Sequence, residues 1–312
     1  MWHHRLGSPF RPTVNRPPLG LDIGVSSLAW VELSPSSPPK LERYTLTGLS
    51  LPSMKTQDCS DEDQLATMIR SSWHQLGTST DRVVIALPAN LSRFHIINAP
   101  TLSLRALDKL CSHQAARLLS LPPSRVSMDY LPLPPDPDAP LMEESRFLVC
   151  AAPLDEITAR IHAVERAGLH VSRIEVDSLS LVALCSRNKT WASHRFGRRV
   201  ILQATTVASI CHVLQPGALL PDQPAIEVRH SDGTDALVRA LSAIAPGLTL
   251  LAGDVIQVRR IEHELKTGLQ CPTLTSAPVT AFEADGAIDQ RALKQDTPAI
   301  MLAFSLALGA RT

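Results

Sequence analysis

Chemistry-capable side chains gather at one place near the start of the chain, where Leu21-Asp22-Ile23-Gly24 is followed by Ser26-Ser27. This puts a carboxylate at the end of an apolar strand, with a glycine and two hydroxyls in the turn behind it. A motif this short recurs by chance, and its plain reading is an acid satisfying the amides of a hairpin turn. Other reactive residues are dispersed. The 11 histidines form no His-Glu-x-x-His pair and accompany no Gly-x-Ser-x-Gly elbow, so they read as surface or partly buried polar residues. Cys59, Cys111, Cys150, Cys185, Cys211 and Cys271 make no Cys-x-x-Cys pair and sit beside no histidine at ligand spacing. They read as reduced core residues, and no metal centre is expected.

The bulk numbers exclude other classes. Acidic and basic residues balance at 30 each, with no basic block interleaved with aromatics, so nucleic acid is not an expected partner. Residues 1–18 carry His3, His4, Arg5, Arg11 and Arg16 among prolines and read as a loose, disordered tail without the apolar core of a signal peptide. The longest apolar run, 299–310, is shorter than the roughly 18 to 20 residues that cross a bilayer, so no direct membrane insertion is expected.

The elements that must position Asp22 follow from periodicity and turn chemistry. Leu19–Gly24, Leu28–Leu33 and Leu41–Leu49 read as a three-stranded meander. Asp61 offers an N-cap to a helix apolar at Leu65, Met68, Ile69, Trp73 and Leu76 and closed by Gly77, and Val83–Leu87 is a buried strand. The order recurs with strands 200–204, 207–214 and 225–228, a helix from about Thr234 stopped by Pro246-Gly247, a strand 248–252 and a helix 256–267. Two such units predict a duplicated α/β fold. Between them, strand 93–99, a helix apolar from Leu104 to Leu119, strand 126–131, a proline- and acid-rich loop at 132–140, strand 147–152, helix 154–167 and strand 171–176 read as a small α+β insert. The expected division is 19–92 plus 177–197 for the first lobe, 93–176 for the insert, 198–297 for the second lobe, and 298–312 as a C-terminal helix on the first lobe.

The Asp22-Ile23-Gly24 hairpin ending in Val31-Glu32-Leu33 resembles the first phosphate loop of the actin-like FtsA/PilM family, and specifically its PilM branch. The helix end Ala163-Val164-Glu165-Arg166-Ala167-Gly168-Leu169, Val176-Asp177 opening a helix, the strand end Leu250-Leu251-Ala252-Gly253 and a helix start at Asp296-Thr297-Pro298-Ala299 fall in the family's order. The resemblance spans roughly residues 20–311. It implies a two-lobed actin-like (ribonuclease H-like) fold and a cytoplasmic protein of the type IV pilus platform. Its partner would be a PilN-like bitopic membrane protein, bound through its N-terminal cytoplasmic peptide. A competence or secretion apparatus is the related alternative.

The same resemblance implies a nucleotide site formed by Asp22, Gly24, Ser26, Ser27, Gln203, Thr205 and Gly253, and shows it eroded. Ala29 stands where the family has lysine. Gln203 replaces an acid and Thr205 a glycine in the second hairpin, and Gly253 is the one glycine left in the adenosine loop. No helical subdomain fits between Ala245 and Leu248. The expectation is a pseudo-ATPase scaffold without ATP or Mg²⁺. The alternatives are an active actin-like ATPase and a division-type homologue with an amphipathic membrane helix, a helix for which 299–308 has no basic face. The docking groove is expected between the first lobe and the insert, at Phe94, Ile96, Ile97, Leu107, Cys111, Ala115, Met128 and Tyr130.

Overall fold

A computed structural model describes residues 16–49, 62–134, 145–218, 220–275 and 277–311. The reading of the tail up to residue 15, the Asp61 cap, Cys59 and most of the proline-rich loop lie outside the described residues.

The chain opens with the expected meander, β1 (Leu19–Ile23), β2 (Ser27–Leu33) and β3 (Leu41–Gly48), in which Asp22 pairs with Ala29. Alternation divides β2. Leu28 and Trp30 pack beneath α1 (Glu62–Leu76), while Ala29, Val31 and Leu33 face the other lobe. Trp30 anchors α1 by donating its indole N–H to Ser72 Oγ at 2.8 Å, both residues being buried. Gly77, at φ 69°, then turns the chain into β4 (Arg82–Leu87), parallel to β1.

The insert has its own sheet. β5 (Arg93–Ala99), α2 (Leu104–Leu119), β6 (Val126–Leu133) and β7 (Ser145–Pro153) follow in sequence, and the strands pair in the order β5-β7-β6, leaving β6 as an edge. The Ser103 hydroxyl caps α2 by accepting from Ala106 N. One face of this sheet packs under α2; the other adds Phe94, Leu148 and Cys150 to the first lobe's core.

The segments α3 (Leu154–Arg166) and β8 (His170–Val176) were expected inside the insert. Instead α3 buries Ile157, Ile161 and Val164 in the first lobe's core, and β8 pairs in parallel with β4. A parallel neighbour needs a crossover helix, and α3 supplies it. α4 (Asp177–Cys185) and the short α5 (Lys189–Ser193) then lead to the second lobe.

There, β9 (Arg199–Ala204), β10 (Ala208–Leu214), β11 (Ile226–Arg229), α6 (Thr234–Ile244), β12 (Leu248–Gly253), α7 (Val255–Glu264) and β13 (Thr273–Leu274) repeat the plan. The two five-stranded sheets run β3-β2-β1-β4-β8 and β11-β10-β9-β12-β13, with antiparallel and parallel pairs at matching places. The duplicated architecture is therefore the observed one. Only Ala245, Pro246 and Gly247 separate α6 from β12, so no subdomain interrupts the second lobe there.

After α8 (Ala277–Thr280), α9 (Gln290–Gly309) begins six residues before the expected start at Asp296, on an Asp289 cap that accepts from Arg291 N and Ala292 N. Pro298 lies inside the helix, where its missing N–H forgoes one bond to Lys294. Burial of residues 297–308 among strands of both lobes compensates. Gly20 lets α9 lie against β1, since a Cβ there would overlap the Ala303 carbonyl oxygen. No described helix is long and apolar enough to cross a membrane.

Candidate interlobe cleft and groove

Two recesses are built around these elements. The first is the interlobe cleft, a cavity of about 130 Å³ lined by Asp22, Gly24, Ser26, Ser27, Gln203, Thr205 and Gly253 together. All seven residues implied by the resemblance converge there. The structure adds two to which the resemblance gave no site role, Asp177 and Arg160.

Each lobe sends an acid or its replacement to the cleft from the end of a central strand. Asp22 ends β1, and its turn is closed by Gly24 N donating to Ser27 O at 2.9 Å. Asp177 opens α4, and its Oδ1 accepts from the main-chain N–H of Ser178 and from Ala89 N at 3.0 Å. Burial pushes the Asp22 carboxyl up to about 7, helped by the charge of Asp177. Burial also raises Asp177, to about 6, against the pull of its hydrogen-bond donors.

Gln203 reaches across from β9. Its Nε2 donates to Asp177 Oδ2 at 3.2 Å, and its Oε1 lies 2.7 Å from His212 Nε2. Burial holds His212 down near 4, so the ring is neutral and its Nε2–H is the donor. The chain His212, Gln203, Asp177 thus joins β10 and β9 of one lobe to α4 of the other.

Thr205 and Gly253 are equally engaged within the protein. Thr205 Oγ1 accepts from Val207 N at 3.2 Å and Ala208 N at 3.0 Å, which occupies the amides at the hairpin tip. Gly253, at φ 106°, is required by its neighbour strand, because a Cβ would overlap the Ala204 carbonyl oxygen. Asp254 caps α7 by accepting from Ile256 N and Gln257 N, both at 3.0 Å, rather than projecting into the cleft. Ala29 is buried and brings no cation. The cleft's arginine comes instead from α3, where Arg160 is held by Glu156 at 2.8 Å.

The second recess is an apolar groove of about 380 Å³ between the insert and the first lobe. Asp129, Tyr130, Leu131 and Leu133 of β6 line one wall. Side chains of consecutive strand residues point to opposite faces, so β6 meets the groove along its unpaired edge. Leu179, Val182 and Ala183 of α4 form the other wall, with Leu308 of α9.

Of the eight residues expected at the groove, Tyr130 alone lines it. Ile97, Leu107, Cys111 and Ala115 are buried between α2 and the insert sheet, while Phe94, Ile96 and Met128 pack against the first lobe's core. The expectation placed a groove between the first lobe and the insert but chose the strand and helix faces that serve as core. The α4 wall was missed, although Leu179, Leu181, Val182, Ala183 and Leu184 spread apolar side chains around the helix, the mark of one covered on more than one side.

A family model described as type IV pilus assembly protein PilM matches residues 20–211. No curated protein matches the chain. Among solved structures, the PilM-PilN type IV pilus biogenesis complex aligns with a TM-score of 0.77 at 18% identity, covering 95% of this chain and 99% of that one. The cytoplasmic domain of EpsL, an inner membrane component of the Vibrio cholerae type II secretion system, aligns at 0.45 with 13% identity, covering 80% and 98%. A Bacteroides thetaiotaomicron protein of actin-like ATPase fold aligns at 0.45 with 12% identity, covering 83% and 90%. With matched lobes around a shared cleft and a family model spanning more than half its length, the chain has the actin-like fold and belongs to the PilM family of type IV pilus assembly proteins.

Proposed function

We propose that the chain is a non-catalytic docking protein of the pilus platform. It binds the N-terminal cytoplasmic peptide of a PilN-like membrane protein in the groove between β6 and α4. The observation that carries this reading is the groove itself, an apolar recess of ligand-binding size beside an unpaired strand edge. An extended peptide gains main-chain hydrogen bonds from such an edge and side-chain selectivity from the pockets beside it. A neighbour of similar fold is known as a PilM-PilN complex, which makes a PilN-like peptide the natural occupant. Through it the protein would sit at the cytoplasmic face of the inner membrane.

The interlobe cleft supports the pseudo-ATPase half of the proposal. Its groups do not fit Mg-ATP: the hairpin amides are taken by Thr205, the metal-side acid is Gln203, and Arg160 is paired. Loss of a counter-charge, a carboxylate and free amides costs about 1 to 3 kcal/mol each, together several powers of ten in affinity.

Titration of the protein with a synthetic peptide of the partner's N-terminus, followed by calorimetry, tests the docking reading. Saturable binding that Ala183→Arg abolishes supports it. Binding unaffected by that substitution removes the groove from the account.

A further inference from the structure

Pro298 lines a second cavity besides the cleft, a recess of about 250 Å³ between α7 and the first turns of α9. Three cations border it, Arg259 from α7 and Arg291 and Lys294 from α9. All three are exposed, and among the described residues none engages a partner through its side chain. The carboxylate lining the recess, Glu262, is already held by Lys266 at 2.7 Å and by the Thr273 hydroxyl at 3.3 Å. Val255, Val258 and Pro298 supply apolar lining.

Local folding does not account for this charge. The start of α9 is the positive end of its dipole, where acids stabilise and cations cost. Arg291 nevertheless occupies that first turn, and Lys294 follows three residues on along the same face, so the two also repel each other. Arg259 adds a third positive charge to the same rim. In a chain whose charges balance at 30 each, this is a local field rather than a general surplus.

We propose that this recess binds a phosphate-bearing anion. Guanidinium groups match phosphate oxygens two at a time, and lysine adds a point charge. An acidic peptide would spread its carboxylates along an extended chain, whereas these cations converge on one compact recess. The phosphate belongs either to a soluble phosphoanion or to the headgroup of an anionic lipid.

The test uses the full chain and two triple variants of equal charge change. One is Arg259→Gln, Arg291→Gln, Lys294→Gln at the recess; the other is Arg105→Gln, Lys109→Gln, Arg117→Gln on the exposed side of α2. Each is titrated with inorganic pyrophosphate by calorimetry and floated with phosphatidylcholine vesicles with and without phosphatidylglycerol. The native protein is expected to bind at least one probe, with affinity about a hundredfold lower in the recess variant and unchanged in the α2 variant. Pyrophosphate binding assigns a soluble anion; binding to anionic vesicles alone assigns a lipid headgroup. The proposal is overturned if the native protein binds neither, if the recess variant binds as tightly as the native protein, or if both variants lose binding alike.

Discussion

The Gln203 amide donates to Asp177 Oδ2 at 3.2 Å across the cleft, so the residue expected to stand in for a family acid joins the two lobes. An aspartate at 203 would face Asp177 and Asp22 as a third carboxylate and would lose the donor. Gln203→Asp is therefore expected to lower stability by about 2 kcal/mol near pH 8, with recovery as the pH falls or Mg²⁺ is added. Urea unfolding in the presence and absence of Mg²⁺ measures this. Unchanged stability would mean that the bridge contributes nothing.

Asp22 gives the protein a defined pH dependence. Its carboxyl titrates near 7 when folded and near 3.8 when unfolded, so between about pH 4 and pH 7 the folded state holds a proton that the unfolded state has released. Its contribution is complete below about pH 4 and is lost as the pH rises through 7. Asp177, raised to about 6, acts in the same direction, and His212, lowered to about 4, acts oppositely below about pH 6.5. Asp22→Asn isolates the Asp22 contribution. The variant should gain on the native protein from about pH 4 to pH 7 in urea midpoints and level off above that.

Gly253→Ala probes whether the last glycine of the expected adenosine loop serves the fold. At φ 106°, with the Ala204 carbonyl in the way, alanine forces β12 from β9. A loss of about 3 kcal/mol is expected in thermal unfolding, without any ligand present. A neutral outcome would return Gly253 to a ligand-binding role.

The groove assignment separates walls from core. Leu131 and Ala183 are exposed, so Leu131→Asp should weaken peptide binding at least tenfold while stability changes by less than about 0.5 kcal/mol. Leu107→Ala, beneath α2, should instead cost about 2 to 3 kcal/mol and leave the intrinsic affinity of the folded protein unchanged. The reverse pattern would restore the expected helix face as the binding wall.

Much of this fold is legible because it rests on local pattern. The meander at Asp22, the helix stop at Gly77 and the repeated strand order are periodicity and turn chemistry, which lie within a few residues of one another. Tertiary relationships are not. Asp177 and Gln203 are 26 residues apart and meet only when the lobes close. The start of α9 was misplaced because Pro298 reads as a helix opening, and only burial between both lobes reveals it as interior. On β6 and α2 the spacing identifies an apolar face without saying whether a sheet or a partner covers it. β8 was assigned to the insert because a parallel pairing with β4 leaves no trace in neighbouring residues.

Thermal unfolding with and without millimolar Mg-ATP tests the central claim most directly, that the protein's own hydrogen bonds have taken over the cleft. A ligand at a hundredfold excess over its Kd adds about 2.7 kcal/mol to a folded protein. The account predicts superimposable melting curves. A concentration-dependent rise in Tm with Mg-ATP, abolished by Asp22→Asn, would contradict it.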